Sequence, residues 1–318
     1  MMLIENPKTY KGTEVDTIFF RPSFCGQSAD ELGIRVIYNM PMPTTVQVWS
    51  RSKNVLQPYE SGWSGGVNAH KFVKTIDMHK VKAESRFSAE DYFSMIFEKI
   101  VASDAVGFED LTGTVLEKAE TELFRQAIAE GVRSTMWLGD TSNMISNLTT
   151  FNGFFRQIVD AGTDYAVTIY DGDIPQSIEL LQKCWNQATD DLKMLRSEGE
   201  LVYFVSSSIY NAYIEELDQM GVDSSYNGTI NGHSELYYHG IPVIEVPLAS
   251  YEKNMFTNFC LLTDRRNLVL ALNTSDMPEN EVRMWYNPDE MENRQRAVFL
   301  AGADIIDFNL ISICYSDY

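Results

Sequence analysis

Residues 112–138, TGTVLEKAETELFRQAIAEGVRSTMWL, constrain the fold more than any other stretch of the chain. Apolar residues recur at Leu111, Val115, Ala119, Leu123 and Ala127 in i,i+4 steps, and Leu116, Phe124 and Ile128 widen the stripe, the pattern of a helix buried along one face. Thr114 and Glu117 stand at capping-box spacing, so the first turn can satisfy its own amide donors. Roughly 25 residues at ~1.5 Å rise give a rod of about 37 Å, some twice the average globular helix. No heptad seam continues past it, so the rod needs a sheet to lie on.

The leading residues 1–32 mix Pro, Gly and aromatics without sustained periodicity and read as an extended arm that packs on something else. IRVIYNM (34–40) and TTVQVWS (44–50) are strand-like runs joined by a Pro-stiffened PMP turn. The Gly-rich stretch 51–71 follows, and FVKTIDMHKVKAE (72–84) returns as one strand, making a long two-stranded projection that needs a surface to rest on. Ser88 and Asp91 form a second capping box ahead of Phe93, Ile96, Phe97 and Ile100, a helix of about four turns. FNGFFRQIVDAG reads as a short apolar turn ending at Gly162.

Beyond Gly162 the pattern resets to α and β elements. Pro175 opens a helix with Ile178, Leu181, Trp185, Ala188, Leu192 and Leu195 on a single face. LVYFVS (201–206) is a buried strand, and residues 208–221 form a helix stopped at Gly221 and capped by Ser207 or Ser208. Strands are expected at 235–247, 259–264, 267–273 and 281–287, with a final one at 303–315.

Hydrophobic content of 44% places the chain among folded proteins, and no run of 18 apolar residues occurs that could span a membrane. Net charge is −20, unevenly spread: residues 1–83 carry ten Lys/Arg against seven Asp/Glu, while the remainder carries 15 against 38. An acidic body repels nucleic acid rather than gripping it, and the mildly basic leading quarter suits acidic protein, such as a neighbouring copy. Cys25, Cys184, Cys260 and Cys314 are scattered without metal or redox spacing and read as reduced thiols of a cytosolic chain.

Asp140, Asp171 and Asp173 could seat a divalent cation, but Asp beside Gly or before Pro is ordinary turn chemistry. His70, His79, His233 and His239 lack ligand spacing, and Ser206–Ser208 lacks a G-x-S-x-G elbow. Neither glycine-rich phosphate motif is present. These residues therefore point to a non-enzyme without cofactor or metal, and 16 Tyr with 17 Phe suit large protein contacts.

The order of elements resembles the major capsid proteins of tailed bacteriophages with the Hong Kong 97-type fold. SELYYHGIPVIEVPLASYEKN followed by CLLTDRRNLVLALN is similar to that family's strand, G-[IV]-P-V turn and following strand. VKAESRFSAEDYFSMIFEKI, the long helix ending in WLGDTS, and FNGFFRQIVDAG resemble its strand, short helix, spine helix and Gly-Asp turn; FLAGADIIDFNLISICY resembles the closing strand of its peripheral domain.

The resemblance implies an α+β fold with a long spine helix on a peripheral β-sheet, an axial αβ domain, an extended loop hairpin and an N-terminal arm. The implied boundaries are 1–32 for the arm, 41–76 for the loop, 33–40, 77–164 and 263–318 for the peripheral domain, and 165–262 for the axial domain. It further implies self-assembly into pentamers and hexamers of an icosahedral shell around packaged double-stranded DNA, with separate scaffolding, portal and decoration proteins, formed in a bacterial cytoplasm. Arg51, Lys53, Tyr59, Trp63 and Lys71 of the loop would then contact a neighbour, and nothing local marks Lys53 or Lys71 for a Lys to Asn crosslink. Glu117, Glu120, Glu122 and Glu130 with Lys118, Arg125 and Arg133 would face a neighbour or the shell interior. An encapsulin-like compartment and a divalent-metal enzyme are the alternatives.

Overall fold

Two six-stranded sheets organise the computed structural model, which describes residues 8–11, 29, 32–39, 44–49, 56, 59, 61–62, 71–88, 115–142, 148–171, 176–221, 229–230, 233–234, 236–248, 258–273, 281–287, 289–290 and 292–317. Strands β1 (Lys8–Lys11), β2 (Arg35–Tyr38), β3 (Thr44–Trp49), β4 (Lys71–Ile76) and β5 (His79–Ser88) precede the long helix α1 (Val115–Leu138). Helix α2 (Phe154–Ala161) and strand β6 (Ala166–Asp171) lead to α3 (Ser177–Gln187), α4 (Asp190–Met194), β7 (Leu201–Ser206) and α5 (Ser207–Gln219). The remaining strands among the described residues are β8 (Thr229–Ile230), β9 (His233–Ser234), β10 (Leu236–Tyr238), β11 (Ile241–Val246), β12 (Phe259–Asp264), β13 (Leu268–Asn273), β14 (Glu281–Asn287), β15 (Glu292–Ile305) and β16 (Ile311–Asp317).

The first sheet is built on β15. Strand β5 runs along one side, from Ser88 opposite Glu292 to His79 opposite Ala301. Along the other side β14 pairs with residues 292–298 and β13 with residues 300–305. Strand β2 extends β13 in parallel, and β1 extends β14, so residues 8–11 pair with the chain's own sheet rather than only with something outside it. Ala29 and Leu32 are likewise buried in the main core.

Helix α1 covers the inner face of this sheet with one side of the expected stripe, Phe124 and Ile128, rather than with its central row. Phe124, Ile128, Val132 and Met136 are buried, whereas Leu123 is 48% exposed and Ala127 is exposed. Burial follows apolar area: a Phe, Ile, Val, Met row removes more from water than a row of small alanines, and each large side chain contributes about 1.5–3 kcal/mol. The helix is rotated by about one residue, ~100°, from the sequence expectation. The Thr114–Glu117 cap and the whole second capped helix after Asp91 lie outside the described residues.

In the second sheet the order is β10-β11-β7-β12-β16-β6. Strands β7 and β12 are buried at every position because both faces are covered. One face packs under α3 and α5 through Leu180, Leu181, Ile209 and Tyr213. The other contributes Val202, Phe204, Phe259 and Leu261 to the core shared with α1. Trp137 sits at that junction, its ring 5.3 Å from Phe154, 5.5 Å from Phe155 and Phe204, and 6.2 Å from Phe259.

Several elements differ from the sequence reading for local reasons. Strands β2 and β3 belong to different sheets and do not pair. The expected strand 72–84 breaks at Asp77–Met78, where the chain crosses Gly302 so closely that a Cβ there would lie 2.3 Å from the Asp77 carbonyl oxygen. The apolar turn before Gly162 is helix α2, with Phe154, Phe155 and Ile158 buried. The helix after Pro175 is two, because Thr189 accepts a bond from the Leu192 amide and caps α4. Ser206, not Ser207 or Ser208, occupies the N-cap of α5. The expected strand 235–247 is instead a β10–β11 hairpin over residues 236–246, with His239 at φ 51° and Gly240 at φ 80° in the two-residue turn. The expected closing strand 303–315 is split between β15 and β16, which lie in different sheets.

Glycine fixes the exit of α1. The Gly153 amide donates to the Gly139 carbonyl at 2.8 Å, and a Cβ on Gly139 would meet the Phe151 carbonyl oxygen at 2.2 Å. Only a residue without a side chain allows the helix end and the start of α2 to approach this closely.

Candidate assembly surface

The element least tied to the body is the β3–β4 hairpin. Its register runs from Thr44 opposite Ile76 to Trp49 opposite Lys71, a two-stranded ribbon with no third strand beside it among the described residues. Such a ribbon is marginal alone and must be held at its root. Val46, Ile76 and Met78 provide that hold by packing on Val269, Ala271 and Leu300, the outer face of the first sheet.

A polar clamp flanks the apolar root. Lys74 Nζ lies 3.2 Å from Asp304 Oδ1 and 5.3 Å from the centre of the Phe308 ring. Burial raises the Asp304 carboxyl above its ordinary range, although Lys74 and the Ile305 amide pull the other way. Beside the pair is a cavity of about 410 Å³ whose polar lining includes Asp77, His79, Asn152 and Asp160. Gln157 closes its floor, donating to the Ala303 carbonyl at 2.7 Å and accepting from the Ile305 amide at 3.2 Å, which pins α2 to β15.

Of the five expected contact residues, Tyr59 is 94% exposed, as is its neighbour Leu56 at 97%. Lys71 opens β4 opposite Trp49. Arg51, Lys53 and Trp63, and the Lys71 side chain, lie outside the described residues.

The other chemical candidates have ordinary roles where they are described. Asp140 Oδ1 accepts from the Ser142 amide at 2.8 Å and from its hydroxyl at 2.6 Å, while Oδ2 faces Arg156 at 3.5 Å. Its carboxylate thus closes a turn. Asp173 and the side chains of Asp171 and His233 lie outside the described residues, as does His70. His79 lines the cavity, and the His239 ring rests 4.3 Å from Tyr238. Among the described residues no group of three metal-ligating side chains converges.

Sequence spacing concealed one cluster. Cys184, Cys260 and Cys314 are free, buried and in one core, with Cys260 directly opposite Cys314. Burial pushes the Cys184 thiol well up, and its hydrogen bond with Cys314, together with burial, raises Cys314. They pack as small neutral side chains. Their separation of 54 and more residues hides this from any spacing rule.

The same arrangement of elements recurs in solved protein shells. A chain of the satellite phage P4 procapsid that includes the size determination (Sid) protein superposes with TM-score 0.58 at 9% identity, over 91% of this chain and 88% of that one. The capsid of the native GTA particle gives 0.51 at 13% identity, over 92% and 91%. The holo-SrpI encapsulin complex of Synechococcus elongatus PCC 7942 gives 0.50 at 12% identity, over 94% and 91%. The architecture is thus an α+β shell-protein fold. It is, in particular, the Hong Kong 97-type fold. No protein-family model and no curated protein sequence matches this chain.

Proposed function

We propose that this chain is a structural subunit of a tailed-bacteriophage or prophage capsid, self-assembling into pentamers and hexamers of an icosahedral shell around double-stranded DNA. The observation that carries the reading is the β3–β4 hairpin, held among the described residues at its root and leading to the exposed Leu56 and Tyr59. A ribbon that cannot stand alone is stabilised by resting on a neighbour. The shell architecture spread over nine-tenths of the chain supports the same reading.

In this reading the hairpin is the extended loop, residues 1–32 the arm, the β15 sheet with α1 the peripheral unit, and the β7 sheet with its helices the axial unit. Strand β16 then counts with the axial unit, whose sheet it shares. Arg51, Lys53, Tyr59, Trp63 and Lys71 contact the adjacent subunit. Scaffolding, portal and decoration proteins are separate chains, assembly takes place in the bacterial host cytoplasm, and the reading assigns no catalytic residue, cofactor or metal.

Sedimentation and negative-stain microscopy of the expressed chain test this directly. Rings or closed shells are expected, and deletion of residues 55–68 is expected to leave a folded subunit that does not assemble. A chain that stays monomeric at high concentration, with its scaffolding protein present, rejects the proposal. The likeness to the SrpI complex favours a second reading, a nanocompartment. Particles from the native source that protect protein cargo rather than nuclease-resistant DNA select it.

A further inference from the structure

The outer face of the first sheet has two halves. The half near Leu300 is covered by the hairpin root. The other half carries charge: register sets Arg86 and Trp285 on either side of Arg294, and Glu84 and Arg283 on either side of Arg296, with Lys82 beside Val298. With Lys80 this makes six cations among the described side chains, against Glu84, Glu290 and Glu292, a balance of +3 on one face of a chain whose net charge is −20.

Two of the pairings break a rule of sheet construction. Arg86 stands directly opposite Arg294, and Arg283 directly opposite Arg296, and like charges in facing positions repel. Glu292 lies 3.6 Å from both Arg86 and Arg294, Glu290 also pairs with Arg294, and Glu84 lies 2.9 Å from Lys82, so three carboxylates moderate the repulsion among the six cations. Arg283 is spread over the Trp285 ring at 5.5 Å. Arg86 and Lys82 keep 73% and 59% of their side-chain surface in solvent. Facing arginines of this kind mark a surface that an acidic partner would stabilise further.

We propose that this face docks an acidic surface of a second copy of this chain, an inference that rests on the shell reading above. Identical copies of net charge −20 repel one another, and a shell of them requires a basic patch that meets an acidic one. The rest of the chain is strongly acidic, since the whole carries −20. The interleaved Glu84, Glu290 and Glu292 suit a mixed-charge protein surface and disfavour a run of phosphates.

The test is the double charge reversal Lys82→Glu/Arg86→Glu in the full chain. Both side chains are exposed, so thermal unfolding should match the parent. Self-association, read by sedimentation velocity across a salt series, is expected to weaken about tenfold and to lose its salt dependence. The conservative pair Lys82→Arg/Arg86→Lys should assemble like the parent. Unchanged association of the charge-reversed chain overturns the docking inference and leaves the shell reading intact. A parent chain that never associates overturns the shell reading itself. If the reversal abolishes salt-dependent binding to a fluorescent 30-base-pair duplex while association persists, the face belongs to nucleic acid and the inference fails.

Discussion

The two sheets solve the same problem in opposite ways. In the β7 sheet, β7 and β12 are buried at every position, with helices on one side and the shared core on the other. In the first sheet the leading half of β15 alternates: Asn293, Gln295 and Ala297 are buried while residues 292, 294, 296 and 298 stay half exposed. A sheet covered on both faces has found all its partners within one chain. Along the half of the first sheet beyond the hairpin root only one face is covered, and the outward residues there can vary in charge without unfolding the subunit.

The largest test of this contrast is Trp137→Ala. Trp137 is fully buried where the two sheets share their core, and its loss is expected to cost about 3–5 kcal/mol in denaturant unfolding. Because both sheets lean on it, one cooperative transition should shift as a whole. Two separate transitions, only one of them displaced, would break the picture of a shared core. Next, Phe124→Ala should cost about 3 kcal/mol and Leu123→Ala less than about 1 kcal/mol, which distinguishes the observed helix rotation from the row expected on sequence grounds. Equal losses at the two positions would contradict it.

Gly153→Ala comes third. The added Cβ would lie 2.6 Å from the Thr135 carbonyl oxygen and 2.7 Å from the Gly139 amide nitrogen, so about 1–3 kcal/mol should be lost at the end of α1. The smallest effect concerns Asp304. Its native carboxyl holds a proton to higher pH than the unfolded chain does, because burial outweighs Lys74. That contribution to stability is present below the ordinary carboxylate range and is lost as pH rises through the raised native value. Asp304→Asn should flatten this acid-side slope and speed amide exchange in residues 71–76; an unchanged slope would show that another carboxyl carries it.

What the residues disclosed in advance follows the same contrast. LVYFVS and FCLLTD announce buried strands because every position is apolar or small. The first half of β15, ENRQRA, announces nothing, since its inward residues are Asn293 and Gln295, whose buried side-chain amides have no hydrogen-bond partner among the described residues. Strand β1 was illegible because its partner lies 270 to 276 residues away. Helix α2 was too short for its period to register. The hairpin could be read from two β-rich runs around a glycine-rich stretch, but its root contacts with Val269 and Leu300 could not. The charge tally misled in a different way: residues beyond 83 total −23, and that average hides the arginines of β5, β14 and β15, which only topology gathers on one face.

Strands β15 and β16 also set the order of events during synthesis. Strand β15 is the one to which β5, β13 and β14 attach, and β16 is what connects β6 to β12. Neither sheet can close until residues 292–317 have left the ribosome, and pairings across such separations form slowly. The root of the hairpin waits as well, because Leu300 and Asp304 are the groups it rests on. On the proposed assembly, a nascent chain therefore has no firmly mounted hairpin to offer a neighbour, and competence to associate would arrive together with the completed fold.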